Sequence, residues 1–355
     1  MSDALEIQSH KGPYRVRFDE DAIAQIAEVR APVHVVIDRR VAELHENTLA
    51  PLLKGPSVLM IDAVESNKSL EASPAYVTHL VSRGIRRDHR LVAVGGGIVQ
   101  DITCFLAANM LRGVEWIMVP TTLLAQADSC IGSKSSINCG GAKNILGTFT
   151  PPKEVWIASR FLDTLDEQDM RSGVGEMLKV HAIDGPASFD RISADYEKMF
   201  SDRATLLAYI HRSLEIKKRF IEVDEFDRGP RLVFNFGHSF GHAIEAATDF
   251  AIPHGIAVTI GMDVALEVGR ELGKTNTATV ARMRPVLRRN ARGYRTVPVP
   301  QQEFLAALSK DKKNAGAGSA TIILPMGEGR IERVTVPIDG TLKRVCADYF
   351  ESAHD

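Results

Sequence analysis

Between residues 33 and 120 short apolar runs rich in β-branched residues alternate with longer segments of helical period. The runs are VHVVID (33–38), SVLMID (57–62), LVAVGGG (91–97) and VEWIMVP (114–120), and the helical patterns lie near 66–83 and 98–111. Strand and helix in alternation predict a parallel sheet with crossover helices. From 119 the period is lost in VPTTLLAQADSCIGSKSSINCGGAKNILGTF, which reads as a long polar loop. Loops of that length inside a compact domain usually carry function. The strand-like EVWIAS follows Pro151 and Pro152, and helical periodicity then takes over near 172–183, 201–221, 236–249, 255–272 and 276–290. A hairpin, TIILPMGEGRIERVTVP (321–337), stands near the end. The change of pattern at 165–172 predicts an α/β nucleotide-binding domain over 1–170 and a mostly helical domain over 171–355, with the active site expected in the cleft between them.

Composition narrows the class. A chain of 355 residues, 45% hydrophobic and 25% charged, has the make-up of a soluble globular protein of two domains. Net charge is -2 and the basic residues are dispersed, which argues against a nucleic-acid partner. Cys104, Cys130, Cys139 and Cys346 show no CxxC spacing and are expected to be reduced. No signal peptide and no run of about 18–20 apolar residues is visible, so a cytoplasmic location is the expectation.

Three local patterns carry candidate chemistry. In LVAVGGGIVQDITCFLAANM a buried strand, three glycines and a helix succeed one another. Without Cβ atoms, Gly95, Gly96 and Gly97 let a backbone approach a pyrophosphate, which the helix N-terminus favours. Gln100 stands where GxGxxG has its last glycine, so the turn alone fits a ligand-free connection equally well. Asp38 and Asp62 close early strands, where an acid can bind a ribose hydroxyl or simply cap a helix. In the polar stretch Asp128, Lys134, Asn138, Lys143 and Asn144 could grip phosphates or sugar hydroxyls. In FNFGHSFGHAIE, His238 and His242 share one helix face, and His254 and Glu176 could complete a divalent-metal set from neighbouring helices. A lone HxxxH is also common on plain helix surfaces.

Taken together, GGG, PTTLLAQADS, IGSK, AKN, FLDTL, GVGEMLKV, DEFDRGPRLVFNFGHSFGHAIE, HGIAV and KDKKNAG occur in an order and at spacings that resemble the 3-dehydroquinate synthase family of sugar-phosphate cyclases. The resemblance runs from about residue 30 to the end. It implies a Rossmann-like NAD-binding α/β domain, a mostly helical metal-binding domain and a homodimer. It also implies a divalent metal, zinc or alternatively cobalt, on Glu176, His238 and His254, with His242 on the substrate side near the phosphate. For NAD it points to Asp38, Glu65, Lys68, Gly96, Gly97, Asp101, Thr121, Thr122, Phe161 and Thr164, with Lys134 and Lys143 between cofactor and substrate. Substrate contacts would come from Asp128, Asn144, Lys179, Lys217, Arg231, Asn235, His242 and the pair Lys312 and Lys313, and Arg112 would reach the phosphate held by the neighbouring subunit.

The reaction so implied oxidises a ring hydroxyl transiently with NAD, eliminates phosphate, reduces the ketone again and closes a carbocycle by aldol addition. Three positions depart from the family pattern: Gln100 and Ser133 replace glycines, and Ile256 stands where glutamate is common. Retention of Lys217, Arg231, Asn235 and DKK favours a carboxylated substrate, 3-deoxy-D-arabino-heptulosonate 7-phosphate, over sedoheptulose 7-phosphate or a related sugar. A metal-dependent polyol dehydrogenase is the alternative from another class, and a non-catalytic NAD-binding module is a third.

Overall fold

The computed structural model of the protein describes residues 4–310 and 318–352. Lys312 and Lys313 lie outside the described residues. The chain divides into two compact units, one of residues 1–166 with 217–227 and the other of 167–216 with 228–355.

In unit 1 the strands are β1 (Leu5–Ile7), β2 (Tyr14–Phe18), β3 (Val33–Asp38), β4 (Val58–Ile61), β5 (Arg90–Gly95), β6 (Glu115–Pro120), β7 (Lys134–Cys139), β8 (Ala142–Phe149) and β9 (Glu154–Ile157). Seven of them form a sheet in the order β1-β2-β9-β6-β5-β3-β4, parallel except for β1. The helices are α1 (Ala22–Ala27), α2 (Arg39–Leu44), α3 (Glu46–Leu53), α4 (Ser73–Ser82) and α5 (Gly97–Asn109). Val35, Ile37, Val92, Val94, Ile117 and Val119 alternate into one apolar core with Leu49, Leu52 and Phe161. The strand order reverses between β3 and β5, so the carboxyl ends of those two strands, Asp38 and Gly95, flank a topological switch point. In open α/β sheets that is where ligands bind.

The polar stretch expected as a loop is ordered differently. After β6 it makes a π-helical turn, Ala125–Ser129, and then the antiparallel hairpin β7–β8. Gly140 and Gly141, both at positive φ, form its two-residue connection, as a tight hairpin requires. Periodicity missed it because β8 is exposed at six successive positions and β7 buries Ser135 alongside Ile137.

Unit 2 holds α6 (Glu167–Asp184), α7 (Pro186–Ala194), α8 (Lys198–Ser201), α9 (Arg203–Val223, whose residues from Lys217 on belong to unit 1), α10 (His238–Ala247), α11 (His254–Glu271), α12 (Thr277–Asn290), α13 (Gln301–Ser309) and α14 (Gly340–Glu351). The strands β10 (Ser319–Pro325) and β11 (Ile331–Pro337) form the expected hairpin. Helix α11 is buried continuously from Gly255 to Leu266 and packs against α6, α10, α12 and α14. No helix among the described residues is long and apolar enough to cross a membrane.

The approach of α6 to α11 is close enough to need glycine on both sides. A Cβ on Gly175 would fall into the Gly255 carbonyl, and one on Gly255 into that of Ser172. The Ser172 hydroxyl also accepts the Gly255 N–H at 3.0 Å. Gly255→Ala is therefore expected to destabilise the protein by about 1–3 kcal/mol through overpacking, read as a lower urea midpoint; an unchanged midpoint would show that the two helices can part freely.

Candidate active site

Unit 2 gathers its candidate metal donors from three helices. Glu176 lies on the buried face of α6, while His238 and His254 are the first residues of α10 and α11. Gly237, at φ 78°, caps α10 and turns the chain into it. Glu176 Oε1 lies 3.7 Å from His238 Nε2 and 3.4 Å from His254 Nε2. Donors sharing one tetrahedral ion at about 2.0–2.1 Å stand about 3.3 Å apart, so the three converge at that scale. Their other ring nitrogens are tied back, His238 Nδ1 to Phe236 O at 3.2 Å and His254 Nδ1 to Glu245 Oε2 at 3.1 Å, which leaves each Nε2 facing inward as metal-bound imidazoles require. Burial alone would lower the His254 pKa, but the Glu176 and Glu245 carboxylates outweigh it and hold the ring up to about 10. Two acids drawing a proton this strongly would draw a cation in its place. The donor set thus fits a divalent ion.

His242 completes the cluster one turn along α10. It is exposed, and its donor atoms and those of His238 and His254 all lie within 4.8 Å of one another. Lys179, buried one turn after Glu176, contacts Glu176 Oε2 at 2.5 Å and lies over the Phe234 ring. Arg231 is buried in the 3-10 turn Pro230–Asn235, where Asn235 Nδ2 donates to Leu232 O at 3.0 Å.

Unit 1 brings a second set together around Lys68. Its ammonium reaches Glu65 Oε1 at 3.2 Å, Asp101 Oδ2 at 3.4 Å and Asn144 Oδ1 at 2.9 Å. Asn138 braces two of these, accepting Asn144 N–H and donating to Glu65, and Ser136 N–H donates to Asp101 Oδ1. Burial pushes the Asp101 carboxyl up to about 6 against the opposing pull of Lys68. At the glycine turn a Cβ on Gly96 would press on Thr122, whereas one on Gly97 would meet no described residue within 4 Å outside its chain neighbours and its own helix backbone. The first fixes close packing and the second leaves an open face at the helix N-terminus, which suits a phosphate.

Asp38 Oδ1 caps α2 by accepting Arg40 N–H, and burial raises its pKa; Asp62 pairs with Arg39. Thr122 accepts Ala125 N–H, and the Thr121 hydroxyl is buried with no hydrogen-bond partner among the described residues. Phe161 sits in the sheet core with the His45 ring edge-on, and Thr164 meets His45 Nε2 at 2.8 Å. Lys134 pairs with Asp227 at 2.9 Å, and Lys143 is exposed on β8. Asp128 and Lys217 form a buried pair at 2.5 Å. Arg112 is exposed, with φ 64°, next to exposed Leu111.

Two family models match adjoining segments of the chain. The model of the 3-dehydroquinate synthase N-terminal domain matches residues 58–172 and that of its C-terminal domain residues 173–314. The chain belongs to the 3-dehydroquinate synthase family. A 3-dehydroquinate synthase of Streptococcus pneumoniae (strain ATCC 700669 / Spain 23F-1) is 33% identical over 252 residues, 67% of this chain and 70% of the relative. The fold is also that of 2-deoxy-scyllo-inosose synthase complexed with carbaglucose-6-phosphate, NAD+ and Co2+ (TM-score 0.84, 21% identity, 97% of this chain and 99% of that one). A 2-epi-5-epi-valiolone synthase from Streptomyces hygroscopicus subsp. jinggangensis 5008, solved with NAD+ and Zn2+, matches at TM-score 0.82 with 26% identity over 96% of this chain and 97% of that one. The protein is thus an enzyme of the dehydroquinate synthase and sugar-phosphate cyclase type.

Within the family pattern the departures have local causes. Gln100 turns its amide to Ser129, Ser133 is buried, and Ile256 is wholly buried in α11. Sequence reasoning missed Glu245, although it stands seven residues after His238 and so on the same face of α10. It also missed Asp227, whose pairing with Lys134 spans 93 residues and leaves no trace in local spacing.

The raised Asp101 pKa has a measurable sign. Between the ordinary 3.8 and about 6 the folded state binds more protons than the unfolded one, so the Asp101 contribution falls as pH rises through that window. Asp101→Asn removes this slope. Urea unfolding free energies of the ligand-free protein should show the variant gaining on wild type from pH 4 to pH 6, and a pH-independent difference would contradict the burial of a strained carboxyl.

Proposed function

We propose that the protein is a 3-dehydroquinate synthase, a carbon–oxygen lyase that converts 3-deoxy-D-arabino-heptulosonate 7-phosphate into 3-dehydroquinate and inorganic phosphate. The observation that carries this is the convergence of Glu176, His238 and His254, each imidazole with its outer nitrogen tied back, in a chain that the family models span from 58 to 314. Related cyclases solved with NAD+ and Co2+ or Zn2+ support NAD and a divalent metal as its cofactors. When bound, NAD+ supplies an oxidant that ends the cycle unchanged, and the metal supplies a Lewis acid for a substrate oxygen.

The chain's own residues do the rest. Glu176, His238 and His254 hold the metal. Lys179, kept dry beside Glu176, brings a positive charge to the reacting end of the substrate, where low exposure makes that charge count for more than in water. Lys134, Lys143, Asn144 and the exposed His242 hold the departing phosphate and balance its growing charge. Lys217, oriented by Asp128, joins Arg231 and Asn235 in neutralising the substrate carboxylate. Asp38, Glu65, Lys68, Gly96, Gly97, Asp101, Thr121, Thr122, Phe161 and Thr164 hold the dinucleotide, directly or by shaping its walls. The substrate phosphate can itself take the proton released on elimination, so much of the catalysis is positioning. The working form is a homodimer in which the exposed Arg112 serves the partner's phosphate.

Two outcomes follow for purified protein supplied with metal and NAD+. With the heptulosonate phosphate, inorganic phosphate is released without accumulation of NADH; accumulating NADH would mean a dehydrogenase, and phosphate release from only a non-carboxylated sugar would mean a different cyclase. Metal analysis separates the histidines: His238→Ala and His254→Ala lose bound metal, whereas His242→Ala keeps it and releases phosphate about 100-fold or more slowly. Equal metal loss in all three would overturn the division of roles.

A further inference from the structure

Gln100 lies in the first turns of α5 with its side chain buried. Both ends of its amide are taken by one residue: Nε2 donates to Ser129 O at 2.6 Å, and Ser129 Oγ donates to Gln100 Oε1 at 3.0 Å. Ser129 ends the π-helical turn Ala125–Ser129 and follows Asp128 directly. A helix of this kind carries one residue too many for α-helical closure, Cys130 N–H reaching back to Ala125 O, and such turns are rare and concentrated at functional sites.

Two glutamines tie the turn to its surroundings. Gln126 donates from Nε2 to Pro120 O at 3.1 Å and Ala158 O at 3.0 Å, which fixes it to the ends of β6 and β9. Gln100 fixes its other end to α5. Between the two ties stands Asp128, whose carboxylate and carbonyl both receive Lys217 Nζ, at 2.5 and 2.6 Å. Gln100 bonds to Ser129 and Asp128 bonds to Lys217, so the link from Gln100 to Asp128 runs through Ser129 and the backbone.

We propose that Gln100 is a positioning residue for substrate binding: through its two-point clamp on Ser129 it sets where Asp128, and with it the Lys217 ammonium, stands. The proposal rests on the assignment of Asp128 and Lys217 to the substrate. The clamp acts on the substrate side alone, because the neighbouring Asp101 is held separately by Lys68 and Ser136. A buried amide with no such role would stabilise the fold equally well, and the test must tell the two apart.

Gln100→Met keeps length and apolar volume and removes both hydrogen bonds. Three measurements on the full protein are decisive. First, kcat/KM for the sugar phosphate should fall about 10-fold or more, while the Kd for NAD+ changes by less than about twofold; a parallel loss of NAD+ affinity would overturn the proposal. Second, in a double-mutant cycle Gln100→Met should add little in an Asp128→Asn background, since coupled residues are non-additive; a full multiplicative loss would assign Gln100 a structural role only. Third, amide hydrogen exchange over residues 125–130 should quicken about tenfold with 97–109 unchanged; unchanged protection over 125–130 would overturn the clamp itself. The exchange and NAD+ measurements need no turnover, so wild-type protein inactive on every sugar phosphate would refute the proposed function without deciding the clamp. Should Gln100→Met fail to fold, Ser129→Ala, which removes one of the two bonds, must show the same pattern at smaller size, and its absence would overturn the proposal.

Discussion

Backbone contact between α6 and α11 is the constraint on which unit 2 depends. Helices usually pack 8–10 Å apart, and side chains at the seam set that distance. Here Gly175 and Gly255 remove the side chains, and Ser172 bonds to the Gly255 N–H. The residues next to the seam, Glu176 and His254, are thereby brought within reach of each other. His238 enters from the start of α10, which packs along the same central helix. A carboxylate and an ammonium as thoroughly buried as Glu176 and Lys179 are costly in isolation. Their pairing offsets part of that cost, and the imidazoles of His238 and His254 also face the Glu176 carboxylate.

Unit 1 obeys a different constraint. Its parallel sheet has a topological switch point between β3 and β5, and unit 1 also gathers a cluster of charged and amide side chains around Lys68. The Lys68 ammonium takes three acceptors there, and the hairpin β7–β8 supplies Asn138 and Asn144 as braces and acceptors. Asn144 holds a positive φ to do so, a conformation its short amide tolerates better than most side chains. The result is a preorganised polar surface built on regular elements, with its charges already oriented before any ligand arrives.

Much of this was legible in the chain. The β-branched runs marked β3 to β6 within a residue or two, because buried parallel strands read as near-continuous apolar segments. The helical domain was legible from period, and Gly95 to Gly97 announced a strand-to-helix turn. The hairpin β7–β8 was not, since β7 buries Ser135 and β8 exposes Ile145 and Leu146, although the Gly-Gly dipeptide could have revealed it. The Asp128–Lys217 pair joins residues 89 positions apart, and spacing carries no information at that distance. HxxxH showed that His238 and His242 share a face but could not divide their roles. The proposed division rests on where Glu176, Glu245 and His254 fall in three dimensions.

The central claim is that this packing makes one metal centre from Glu176, His238 and His254 and leaves His242 outside it. Anomalous scattering at the zinc edge from crystals of the zinc-loaded protein tests it most directly. The arrangement predicts a single peak within bonding distance of one Glu176 oxygen and of Nε2 of both His238 and His254, with His242 beyond it. A peak held by the three histidines, with Glu176 left paired only to Lys179, would contradict it.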